Sequence, residues 1–227
     1  MSKRFPTSAR PPSPLHHDAA YAVLWVFLNL LFRVFFRIRV IGRENFPRAG
    51  PLLVVSNHLS EWDPPFFGSC LPWQVHWLAK VELFELLGGR MNALFRTLHC
   101  IPVDRTKADF TAIKEIARLL HGPRPVVVFA EGGTRTDATS LLGSAPVLKE
   151  GAASMAILGG SPPILPALLT GTCALHDWRN WLFRRPLIEL VIGKPFTLET
   201  RDRVAATRQI LDHLLALKPL LRQPRVC

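Results

Sequence analysis

No G-x-S-x-G elbow, no H-E-x-x-H pair and no G-x-x-x-x-G-K loop occurs in this 227-residue chain. The signatures of a serine hydrolase, a zinc peptidase and a P-loop nucleotide binder are therefore missing. Cysteine is scarce: Cys70, Cys100, Cys173 and Cys227 form no C-x-x-C and no Cys/His ligand spacing. They read as reduced thiols of an intracellular protein, and nothing calls for a metal or another cofactor. Internal repeats are absent, and the chain suits one domain with a sizeable core. Acidic residues are also few, 17 against 28 Lys/Arg, for a net charge of +11.

That charge is placed unevenly. Residues 1–50 hold eight Lys/Arg against Asp18 and Glu44, and residues 201–227 hold six against Asp202 and Asp212. The body between them is close to neutral. A nucleic-acid module would carry one basic recognition face, so nucleic acid is not an expected partner. Two basic ends suit an anionic membrane surface, although a solvated tail at each end accounts for them equally.

A long hydrophobic run is missing too. After a proline-rich basic tail (residues 1–18, expected to be disordered), the helical stretch 19–38 is cleanly apolar only from Ala19 to Phe32. That is about 21 Å of helix, short of a bilayer core of about 30 Å. Tyr21, Trp25, Asn29, Arg33 and Arg37 recur at every fourth position, opposite a face of Val, Leu and Phe. The pattern predicts a helix lying in the membrane interface, with aromatics at headgroup depth and arginines toward phosphates. A signal peptide is disfavoured because no small-residue cleavage site follows. The stretch 176–185 mixes aromatics and cations, and reads either as a second membrane contact or as core packing by Trp178 and Trp181.

The most informative window is Ser56 to Pro65. His58 and Asp63 stand five apart, directly after the apolar run 51–55, where a strand gives way to a helix. Asp63 before Pro64 fits a helix N-cap. A tight turn also lets the carboxylate fold back on His58, fix its tautomer and suit it to general-base work. Downstream, Ile101 to Arg105 reads as a strand ending in a charged pair, and Val126 to Arg135 as a buried strand running into a glycine turn. Arg105 and Arg135 are candidates for a forked phosphate clamp. Taken alone, each arginine is equally a surface ion-pair residue, and Gly132-Gly133 an ordinary turn.

Together these segments resemble the glycerolipid acyltransferases of the lysophosphatidic acid acyltransferase type. Asn57, His58 and Asp63 match the family's N-H-x-x-x-x-D block, and Ile101 to Arg105 match its hydrophobic-V-D-R run. Phe129, Glu131, Gly132, Thr134 and Arg135 match F-P-E-G-T-R, and Pro166 matches the apolar fourth block. The resemblance extends from about Gly42 to Val191. Ala130 stands where the family has proline, Gly132-Gly133 holds one extra glycine, and His99 lies near a usual glycine.

The resemblance implies catalysis by His58 and Asp63, with substrate bound by Asn57, Arg105, Glu131, Gly132, Gly133, Thr134 and Arg135. It implies transfer of an acyl group from acyl-CoA or acyl carrier protein to lysophosphatidic acid, giving phosphatidic acid at the cytoplasmic face of a membrane. Another phosphate-bearing lysolipid or glycerol 3-phosphate is the alternative acceptor. A hydrolase using Ser60 and a non-catalytic lipid-binding protein are the remaining alternatives.

The expected fold is α/β: a single domain with a largely parallel or mixed sheet covered by helices. It comprises the interface helix 19–38, an acyltransferase domain over 39–220 and a basic tail over 221–227. Strands are expected near 38–42, 51–56, 74–79, 99–103, 125–130, 163–170 and 187–193. Helices are expected near 64–70, 82–97, 108–121, 148–159 and 202–217.

Overall fold

A computed structural model describes residues 19–47, 50–72, 74–86, 89–104, 110–122 and 124–224. The expected tail 1–18, the last three residues and Arg105 lie outside these described residues. Seven strands form one sheet: β1 (Arg37–Ile41), β2 (Leu53–Ser56), β3 (His76–Lys80), β4 (Cys100–Val103), β5 (Val126–Phe129), β6 (Ile164–Thr170) and β7 (Leu187–Ile192). Their spatial order is β1-β7-β6-β2-β5-β3-β4. Every pairing is parallel except β6 with β7. Strands β2 to β6 therefore finish at one end of the sheet, and β7 and β1 begin there.

The central strands are buried on both faces, which is why Leu52 to Val55, Val126 to Val128 and Ile164 to Leu169 read as unbroken apolar runs. One face packs under α5 (Phe110–Leu119), α6 (Gly151–Leu158) and α8 (Arg203–Leu215). Helix α8 starts where the Asp202 carboxylate accepts the Ala205 N–H at 2.8 Å. It buries Ala206, Ile210 and Leu214, one stripe at four-residue spacing. The other face packs under α1 (Ala19–Phe35) and α2 (Asp63–Cys70).

All seven expected strands are present within three residues at each end. The single helix expected over 82–97 is instead two, α3 (Val81–Glu85) and α4 (Arg90–Thr97). Leu86 turns to ψ 144° after α3, and Gly89 at φ 82° is the N-cap from which α4 starts. An unexpected short helix, α7 (Trp178–Arg184), is capped by Asp177, whose side chain accepts the Arg179 N–H. Its Trp181 packs on Phe35, the last residue of α1, and on Phe36 just beyond it, while Trp178 is exposed. Cys173 is disulfide-bonded, contrary to the expectation of four reduced thiols, whereas Cys70 and Cys100 are free.

Helix α1 keeps its apolar face outward, but the first part of its polar stripe, Tyr21, Trp25 and Asn29, faces the protein, whereas Arg33 and Arg37 are exposed. Trp25 Nε1 donates to the Leu71 carbonyl at 3.2 Å and Asn29 Nδ2 to the Ser69 carbonyl at 2.7 Å. These carbonyls stand at the C-terminal end of α2, where a helix leaves its acceptors unsatisfied. Tyr21, Phe32 and Phe36 are buried beside them. The outward face is Val23, Val26, Phe27, Leu30 and Val34, with Leu30 64% exposed.

Gly171 closes β6 at φ 92°, and a Cβ there would sit 2.3 Å from the Leu187 carbonyl oxygen. A backbone oxygen has little room to yield. Gly171→Ala is expected to cost at least about 2 kcal/mol. For a chain of this size that is a fall in Tm of roughly 4–8 °C, read by thermal denaturation.

Candidate active site

Strand β2 ends at Ser56, and the chain then loops over the end of the sheet to Asp63 at the start of α2. His58 Nδ1 lies 2.8 Å from Asp63 Oδ2. A carboxylate at that distance fixes the proton on Nδ1 and leaves Nε2 as the basic nitrogen. The N-cap position belongs to Trp62, not Asp63. Asp63 is the first helical residue and turns its carboxylate back over the loop. Its Oδ2 also accepts the N–H groups of Leu59 at 2.6 Å and Ser60 at 3.0 Å, and its Oδ1 accepts the Thr172 hydroxyl. The carboxyl group is fully buried and holds four donors. The His58 ring stacks on Phe129 at the end of β5, with centroids 4.3 Å apart and planes 15° apart. Only 8% of His58 meets solvent.

Two residues expected to touch substrate have their side chains committed elsewhere. Asn57 is fully buried: its Nδ2 donates to the Leu169 carbonyl at 2.8 Å and its Oδ1 accepts the Leu169 N–H at 2.7 Å. It thereby extends the β2–β6 ladder by one side chain. Glu131 is likewise fully buried. One oxygen accepts the His58 N–H at 2.6 Å, and the other accepts the Leu141 N–H at 2.6 Å and the Ser140 hydroxyl at 3.1 Å. Burial pushes its carboxyl pKa upward, against the pull of these donors. Both residues hold the loop that carries His58.

The glycine turn holds the remaining expected residues. Gly132 adopts φ 75°, and the Lys149 stem crosses it where a Cβ would come within 2.6 Å of Lys149 Cδ. Gly133 is half-buried and Thr134 exposed. The Arg135 N–H donates to the His58 carbonyl at 2.8 Å, and its guanidinium donates to the Thr139 hydroxyl at 3.0 Å. Ala130, standing where the family pattern has proline, donates its N–H to the Ser56 carbonyl at 2.9 Å. Proline has no N–H to make that bond.

Ser60 is not placed as a nucleophile. It is fully buried, its hydroxyl accepts the Trp62 N–H at 3.2 Å, and it meets His176 Nε2 at 3.1 Å. Glu61 approaches the same ring nitrogen at 3.5 Å. A triad needs its acid on the opposite nitrogen from the nucleophile. Among the described residues no group of three or more His, Cys, Asp or Glu is arranged to hold a metal ion.

Thr172 and Ser140 complete the site and carry no sequence signal, because each reaches it from a distant strand end or loop, and Phe129 of the third family block adds its stacking face. Glu131→Gln puts an amide NH2 against a backbone N–H of His58 or Leu141. The variant is expected to lose roughly 1–3 kcal/mol of stability in a denaturant titration.

Comparison with known proteins accords with this geometry. A family model described as "Acyltransferase" matches residues 37–170, from the start of β1 to the end of β6. The 1-acyl-sn-glycerol-3-phosphate acyltransferase of Bacillus subtilis (strain 168) is 29% identical over 182 residues, covering 77% of this chain and 84% of that protein. The crystal structure of the 1-acyl-sn-glycerophosphate (LPA) acyltransferase PlsC from Thermotoga maritima matches with a TM-score of 0.69 at 23% identity. That match covers 89% of this chain and 80% of the other, and it speaks for the fold. The matched segment spans more than half of the chain and encloses His58, Asp63 and Glu131, so the protein belongs to the acyltransferase family.

Proposed function

We propose that this protein transfers a fatty acyl group from an acyl thioester to the free hydroxyl of lysophosphatidic acid. The observation that carries the reading is the commitment of His58 Nδ1 to Asp63, which leaves Nε2 as a base at the end of the sheet. Nε2 takes the proton of the acceptor hydroxyl as its oxygen attacks the thioester carbonyl carbon. Asp63 stabilises the imidazolium. The tetrahedral intermediate collapses with cleavage of the C–S bond, and the proton passes from His58 to the departing sulfur. A thiol has an ordinary pKa of about 8.5, so it leaves readily as thiolate. A base and its orienting carboxylate are then sufficient, and no nucleophilic serine is needed.

Asn57 and Glu131 act as positioning residues in this scheme. The acceptor phosphate falls to Arg135, and to Arg105 by its match to the second family block. The name of the Bacillus relative supports this choice of acceptor. Either acyl-CoA or acyl carrier protein supplies the donor thioester.

The substrate is a membrane lipid, and the outward face of α1 fits a membrane. None of the described helices is long and apolar enough to cross one. A 17-residue helix with a bare face of Val, Phe and Leu fits shallow immersion in one leaflet instead. Leu182 and Phe183 of α7, the latter 75% exposed, lie next to the C-terminal end of α1 and extend that apolar surface.

Two experiments test these assignments. Thiol release from a long-chain acyl-CoA in mixed micelles is expected to require both lysophosphatidic acid and His58, with His58→Ala reducing it by a factor on the order of a thousand or more. Equal release without the acceptor would mark a thioesterase instead. For the membrane, Phe27→Asp with Leu30→Asp changes only exposed side chains. It is expected to lower partition into phosphatidylcholine vesicles by at least about tenfold; unchanged partition in a sedimentation assay would remove α1 from the contact.

A further inference from the structure

A concavity of about 590 Å³ opens at the edge of the sheet, lined by Arg37, Arg39, Leu187, Arg222 and Gln223. It lies on the α8 side, because Arg37 and Arg39 point the same way as Ile41, which packs into that core. It also stands at the end of the sheet that carries His58, since β1 and β7 begin where the central strands finish.

Its charge is poorly compensated. Among the described residues the acid at this sheet edge, Glu189, is fully buried and already saturated. One of its oxygens binds Arg39 Nη1 at 2.6 Å, and the other accepts the backbone N–H groups of Arg222 at 3.0 Å and Gln223 at 3.2 Å. Arg39 is thus neutralised and held in place. Arg37 and Arg222 have no carboxylate partner among the described residues. Arg37 Nε donates to the Arg185 carbonyl at 3.0 Å, which leaves its two terminal nitrogens for another acceptor.

The neighbours of the concavity indicate what fills it. Arg185, which Arg37 touches, donates its Nη2 to the Arg33 carbonyl at the C-terminal end of α1 at 2.8 Å. The cavity therefore sits at the rim of the apolar surface formed by α1 and α7. Cations at the border of a lipid-facing surface stand at headgroup depth, and forked guanidinium groups match phosphate oxygens.

We infer that this concavity binds the phosphate of an anionic phospholipid headgroup, a lipid site separate from the His58 groove. The inference rests on the membrane reading above only for the supply of the lipid, and its test needs no turnover. Binding of the full chain is measured on phosphatidylcholine vesicles with and without phosphatidylglycerol. Arg37→Ala with Arg222→Ala is expected to erase roughly tenfold or more of the gain that phosphatidylglycerol gives, at about fivefold per arginine. Binding to pure phosphatidylcholine should stay intact.

Arg222→Glu, on an exposed side chain with no bond among the described residues, should lose the same gain without disturbing the sheet. The control is Arg203→Ala with Arg208→Ala on the exposed side of α8, which removes equal charge elsewhere and should keep the gain. Equal loss in control and cavity variants would mean diffuse attraction and overturn the site. Retention of the gain in the cavity variants would overturn it as well. Inorganic phosphate raising the Tm of wild type but not of Arg222→Glu, with vesicle binding alike in both, would assign the cavity to free phosphate and overturn the headgroup.

Discussion

The carboxylate of Asp63 is the point on which the site is built. Burying an unpaired carboxylate costs several kcal/mol, so a fully buried one persists only where donors surround it. Four donors do so: the His58 ring, the N–H groups of Leu59 and Ser60, and the Thr172 hydroxyl. Three of the four belong to the loop that Asp63 itself closes. The geometry of the loop and the solvation of the acid are therefore one requirement. Glu131 repeats the arrangement from the other side, taking the His58 N–H into a second buried carboxyl group. His58 is held at its ring by one acid and at its backbone by the other.

Sheet topology brings these holders together. Thr172 arrives from the end of β6, Glu131 from the end of β5 and His58 from the end of β2, three neighbouring parallel strands that finish side by side. Strand β7 runs away from this end and α8 returns the chain to it, where the Thr170 hydroxyl donates to the Gln223 carbonyl at 3.1 Å. Helix α1 belongs to the same construction. By capping the last carbonyls of α2 with Trp25 and Asn29, it anchors the helix that begins with Asp63. Its apolar face is left exposed while its polar face holds the helix that follows the His58 loop.

The strands were legible in the sequence because β2, β5 and β6 are buried on both faces, and their apolar runs are bounded by polar or glycine residues. Pro166 sits within β6 without breaking it. The His58–Asp63 pair was legible because both partners lie within one short loop. The roles of Asn57 and Glu131 were not, since their partners, Leu169 and Leu141, are remote and meet them through backbone atoms that any residue carries. The partner of the α1 polar stripe was hidden for a related reason. A polar stripe on an apolar helix marks a face that needs hydrogen bonds, but periodicity does not say whether water, headgroups or a neighbouring helix end supplies them. Here the neighbour was α2.

Two departures from the family pattern, Ala130 and the Gly132-Gly133 pair, lie in the segment that follows β5. Ala130 adds an N–H to the β2–β5 ladder, so the missing proline leaves the strand end tied. The additional glycine is absorbed because Gly132 takes a left-handed turn that few other residues tolerate. That turn still delivers the Arg135 N–H to the His58 carbonyl. The insertion therefore leaves the His58 pair undisturbed, while the Arg135 guanidinium donates to the Thr139 hydroxyl, which in turn donates to the Asp137 carboxylate at 2.6 Å. The His58–Asp63 pair, proposed to transfer the proton, keeps the family's spacing, and the insertion falls in the segment proposed to hold the acceptor.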